Sequence, residues 1–206
     1  FTTLDAGDGL GGSASIAVNA GAASSIGFGV TTVSAVGTGG GAAGDSSASG
    51  NGEGGSASVT TTGGGTTLFD AVTLDASGLG GGNTENIDTI RSGDGVGGDI
   101  NLSATGGSTL AIGSSLNLIA TGIAATSANI GSGTGGNVTV SASGGGTIEI
   151  ADQVSVDVFG GSSGAAVVAD SVGSGTGGTV AFTADGGEIR GDDYEIIASA
   201  GVVNAT

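Results

Sequence analysis

Residues 131–158 read GSGTGGNVTVSASGGGTIEIADQVSVDV. After the glycine pair at 135–136, Val138, Val140 and Ala142 alternate with Asn137, Thr139 and Ser141. This is the period of a strand that buries one face. The glycines at 144–146 mark a turn, after which Ile148 and Ile150 take the same alternate positions. Beyond Ala151, Asp152 and Gln153 the pattern resumes with Val154, Val156 and Val158. The stretch predicts three short strands in about 22 residues, with no helical periodicity anywhere in it.

The same unit recurs along the chain. The hexapeptides GDGLGG, GNGEGG, GDGVGG, GSGTGG and GSGTGG end at glycine pairs 11–12, 54–55, 97–98, 135–136 and 177–178, spaced 43, 43, 38 and 42 residues apart. Each pair precedes an alternating stretch: Ala14, Ile16, Val18; Ala57, Val59, Thr61; Ile100, Leu102, Ala104; Val138, Val140, Ala142; Val180, Phe182, Ala184. The third copy also repeats the later strands, with Leu110 and Ile112, then Leu116, Leu118 and Ala120. The rest of each unit is rich in Gly, Ser and Ala with scattered apolar residues, among them Ile87, Ile90, Ile130, Val167, Val168 and Val172. It reads as a long loop with room for a fourth strand.

One such unit cannot bury its apolar face alone, whereas stacked units can. Stacking would set Val138 between Ile100 and Val180 and pair equivalent strands in parallel. The chain is therefore expected to be all-β, a single β-solenoid domain over residues 1–206. It would make about five turns of 38–43 residues, over about 9–51, 52–94, 95–132, 133–174 and 175–206, one turn per unit. A segment of a longer or stacked fibre is the expected context, because uncapped terminal turns would expose strand edges.

Composition narrows the function classes. The chain has 49 Gly and no Pro, Cys, Met, Trp or His, and its only basic residues are Arg91 and Arg190. Without Cys and His, thiolate chemistry and the commonest metal ligand and general base are missing. A net charge of −17 repels phosphate backbones and anionic headgroups, so nucleic acid is a poor partner. No apolar run is long enough for a membrane-spanning helix. The start at Phe1, with no basic-plus-apolar leader, reads as a mature or excised piece.

From about residue 9 to about residue 200 the repeats, 131–158 most clearly, resemble the haemagglutinin-type repeats of filamentous haemagglutinin-like adhesins. These are large bacterial exoproteins commonly exported by two-partner secretion. The resemblance implies a right-handed parallel β-helix, an extracellular or cell-surface location, and a role as stalk or adhesive fibre without a catalytic site. Its expected partners are itself or further repeats end to end, and carbohydrate or a cell-surface receptor.

Several motifs carry a functional reading beside a plainer one. Arg190, Gly191 and Asp192 form an RGD tripeptide, the tripeptide of integrin-binding adhesins, expected in an exposed turn between the second and third strands of the last unit. Gly-Asp is also ordinary turn chemistry. Asp94 and Asp99, with Asp8 in the first copy, are the calcium candidates. Calcium wants six to eight oxygens, so solvated turn carboxylates are the competing reading and no cofactor is otherwise expected. Asn101, Asn137 and Asn204 head N-x-Ser/Thr sequons, and Thr60, Thr61, Thr62, Thr66 and Thr67 form a threonine cluster one copy deep. The acidic groups Asp152 with Asp157, and Asp192 and Asp193 with Glu195, lack the basic and aromatic neighbours a carbohydrate-active site needs, so an enzyme is not expected. Tyr194 falls at an inward strand position.

Overall fold

The computed structural model describes residues 6–42, 48–82, 91–125, 130–162 and 174–200. Ile87, Ile90, Val167, Val168, Val172 and Asn204 lie outside the described residues, in which there is no helix.

The first copy supplies β1 (Gly9–Leu10), β2 (Ser13–Asn19), β3 (Ser25–Ser34) and β4 (Gly37–Thr38), and the second β5 (Gly52–Glu53), β6 (Ser56–Thr62), β7 (Thr66–Asp75) and β8 (Gly78–Leu79). The third holds β9 (Gly95–Val96), β10 (Asp99–Thr105), β11 (Thr109–Ile112), β12 (Leu116–Ile119) and β13 (Gly122–Ala124). The fourth and fifth hold β14 (Gly133–Thr134), β15 (Asn137–Ser143), β16 (Thr147–Asp157), β17 (Gly160–Ser162), β18 (Gly175–Thr176), β19 (Thr179–Asp185) and β20 (Glu188–Ile197).

Every strand pairs in parallel with its counterpart in the neighbouring copy, so three sheets run through all five copies and a fourth through the first four. Two are narrow, β1-β5-β9-β14-β18 and β4-β8-β13-β17; one has seven-residue strands, β2-β6-β10-β15-β19; the long sheet runs from β3 through β7, β11, β12 and β16 to β20. The pairing pattern completes once per sequence unit and is compatible with a β-solenoid.

Val138 pairs with Ile100 on one side and Val180 on the other, as the repeat alignment requires. The inward residues of the seven-residue strands and of the long sheet meet in one core that includes Val59, Leu102 and Val140 from the former and Leu74, Leu118 and Val156 from the latter. A strand buried on one face offers its alternate side chains to this core, and parallel pairing in register makes them columns.

The second and third strands expected in each unit are one continuous strand, as in β7, β16 and β20, and only the third copy splits them into β11 and β12. Between β16 and β20 the junction is a change of register: Ile150 opposes Gly191, and Gln153 opposes Asp193. Such a bulge restores the inward alternation after the interruption without breaking the strand. The turn before it uses left-handed glycines, with φ of +58° at Gly144 and +82° at Gly145. In the first copy Ala23 takes this conformation, at φ +65°.

The half of each unit read as a long loop with room for a fourth strand does hold one in the first four copies, β4, β8, β13 and β17. There the two narrow sheets lie backbone against backbone. A Cβ on Gly78 would overlap the Val96 carbonyl, one on Gly95 that of Ile123, and one on Gly122 that of Thr134, so the contact zigzags up the stack. Hydrogen bonds of 2.9 Å follow the same path, Gly50 N–H donating to Gly40 O, Gly81 N–H to Gly50 O and Gly93 N–H to Gly81 O. Only glycine allows this approach.

Candidate functional site

The second residue of each hexapeptide is Asp8, Asn51, Asp94, Ser132 and Ser174. Parallel stacking brings these oxygen-bearing side chains into one column. Asn51 N–H donates to Asp8 Oδ1 at 2.7 Å, Asp94 N–H to Asn51 Oδ1 at 2.8 Å, and Ser132 N–H to Asp94 Oδ1 at 2.6 Å. The Ser132 and Ser174 hydroxyls share a bond of 2.8 Å. Arg91 adds an ion pair to Asp94 at 2.8 Å. Each of the first three copies thus uses a side chain to satisfy a backbone donor of the next, and the fourth joins the fifth through hydroxyls. Sequence reasoning treated these aspartates as ligands or solvated turns; the signal for the ladder was the hydrogen-bonding oxygen at the same place in all five hexapeptides.

Asp99 belongs to a different column, at the start of the seven-residue strands. Asn137 Nδ2 donates to Asp99 Oδ1 at 2.9 Å, and Thr179 Oγ1 donates to Asn137 Oδ1 at 2.6 Å. The two calcium candidates therefore have separate hydrogen-bonded partners. Among the described residues no group of three or more acidic side chains is placed to hold a metal ion.

Arg190, Gly191 and Asp192 lie inside β20, not in the turn the sequence suggested. The tripeptide is extended because Arg190 and Gly191 pair with Glu149 and Ile150, and Asp192 stands at the bulge. Arg190 Nε and Nη2 donate to the two Glu188 carboxylate oxygens at 2.5 and 2.6 Å, and Nη1 to Glu149 Oε1 at 3.1 Å. The Glu188 hydrogen bonds and charge, then Glu149, raise the Arg190 pKa above its ordinary value. The guanidinium is exposed but already engaged.

Tyr194 does occupy an inward column, opposite Val154, yet it is 41% exposed because no strand among the described residues pairs with the far side of β20. Its ring meets Phe182 edge-on, with centroids 5.8 Å apart. Asp157, read as part of an acidic group, caps its own turn by accepting from Phe159 N–H at 2.9 Å. The threonine cluster divides between faces: Thr61 and Thr67 point into the core, and Thr60 and Thr62 alternate outward. Asn101 and Asn137 sit on the outer face of their strands.

Open grooves lie among the described residues. One, about 550 Å³, runs along the glycine pairs between Leu10, Glu53, Ser56 and Asp99. Another, about 440 Å³, follows the bulge past Leu68, Ala111 and Glu149. Neither gathers a nucleophile with a base. Among the described residues no helix is long and apolar enough to cross a membrane. Compared with protein-family models, curated proteins and solved structures, the chain matches none.

Proposed function

We propose that this chain is a non-catalytic structural segment of an extracellular bacterial fibre or adhesin stalk, wound as a right-handed parallel β-helix. The observation that carries the reading is where the polar side chains go. The column from Asp8 to Asp94 spends its oxygens on the backbone of the next copy, and the column from Asp99 to Thr179 spends its own on side chains. Groups that a binding or catalytic site would aim outward in convergence are used here to join one copy to the next. Continuous apolar columns and a glycine seam do the same along the axis, which is what a load-carrying rod requires.

In this reading the partners are further repeats or further copies, with carbohydrate or a cell-surface receptor as a second class of contact along the two grooves. The acidic surface keeps nucleic acid away and favours solubility outside the cell. Gold-labelled antibodies raised against the chain test the assignment on intact producing cells. Label along surface filaments is expected; label confined to the cell interior would sink it.

A further inference from the structure

Deepening the proposed reading of a stacked segment, we infer that separate copies of this chain join head to tail, the face formed by β18, β19 and β20 of one copy docking on the face formed by β1, β2 and β3 of the next. The first observation is that, among the described residues, each of these strands ends its sheet and pairs on one side only. All three edges at one end belong to the first copy, and all three at the other to the last.

The edges match in length. Strands β1 and β18 each have two residues, β2 and β19 seven, and β3 and β20 ten. Docking in the register used inside the chain would therefore continue three of the four ladders without an overhang, the fourth ending at β17 in the fourth copy. Two like ends brought together would run their strands antiparallel and lose the side-chain columns. The contact is heterologous, and its repetition gives an open filament rather than a closed dimer.

The inward side chains also fit in size. The column that starts with Phe28 passes through Phe69, Ile112 and Ile150 and ends at Gly191. The column that starts with Thr31 passes through Val72, Leu116 and Val154 and ends at Tyr194. Head-to-tail docking sets the largest side chain of each column against a small one, Gly191 on Phe28 and Tyr194 on Thr31. Phe182 would meet Ile16, and Ile196 would meet Val33. These faces leave apolar surface in water, with Ile196 48% and Ile26 37% exposed. Burying it is the driving force.

The test uses the whole chain in two blocked forms. Ile196→Lys puts a charge in the face at the end of the stack, and Ile16→Lys puts one in the face at its start; Val30→Lys, at an outward residue 80% exposed, is the control. Sedimentation of the unaltered chain and of the control should show assemblies that grow with concentration without a plateau. Each blocked form alone should sediment as a monomer with an unchanged circular dichroism spectrum. Mixed, they retain one good face each and should stop at a 1:1 dimer. A monomeric unaltered chain at every concentration, a closed dimer of it, or assembly of the blocked forms alone would overturn the inference. Loss of assembly while labelled filaments persist on cells would leave the fibre reading standing, with continuity within one chain.

Discussion

Thr67 stands in an inward column between Ile26 and Leu110, almost completely buried, and its Oγ1 has no hydrogen-bond partner. Thr61, also buried, shares a bond of 3.2 Å with the Ser108 hydroxyl, which in turn donates to Thr105 O at 2.8 Å. An unsatisfied buried hydroxyl costs free energy that an isosteric methyl does not. Thr67→Val should therefore raise the unfolding free energy by about 1 kcal/mol in urea titration, and Thr61→Val should lower it or leave it unchanged. A loss at position 67 would mean the hydroxyl has a partner. The inward positions themselves were legible from alternation alone. Val140 is fully buried and Thr139 exposed. Val140→Asp should cost about 4 kcal/mol, whereas Thr139→Asp should change stability by less than about 0.5 kcal/mol. Equal effects would invert the face assignment. What the alternation could not reveal was the service of Asp94 to the neighbouring copy, since that bond exists only after stacking.

Among the elements, the strands that flank the apolar core were readable and the narrow sheets were not. Periodicity is a contrast between side chains, and strands such as Gly78–Leu79 and Gly122–Ala124 are two or three residues long and begin on a glycine, too short to show one. The backbone contact at Gly122, where both Thr134 and Gly95 carbonyls lie in the space of a Cβ, leaves no room for a side chain. Gly122→Ala should destabilise by about 3 kcal/mol because rigid backbone, not a movable side chain, must give way. Gly27, also in a strand, has open space where its Cβ would be, and Gly27→Ala should leave stability unchanged or raise it by about 0.5 kcal/mol. Thermal melts of the pair compare the seam with an ordinary strand position; a tolerated Gly122→Ala would refute the close packing. The RGD turn was misplaced for a related reason. Gly-Asp favours turns locally, but pairing with β16 holds Arg190 and Gly191 extended.

At the scale of the whole molecule, acidic residues concentrate on the long sheet, whose strands hold nine of them, Asp70 to Glu195, against two in the seven-residue strands, Asp99 and Asp185. Apart from the Arg190 pairs this surface repels itself, so added salt should stabilise by screening. Sodium chloride should raise the melting temperature, calcium at equal ionic strength should raise it no further, and a chelator should leave it where it was. A selective drop with chelator would establish a structural cation site that the hydrogen-bonded Asp94 and Asp99 do not suggest. The repeat period, the parallel stacking and the core columns all followed from sequence because each depends on side chains recurring at fixed distances. The central claim is that this recurrence builds a continuous axial rod, and cryo-electron microscopy of the native material tests it most directly. Rods with an axial repeat of about 4.8 Å are predicted, and compact isolated particles without that repeat would contradict the account.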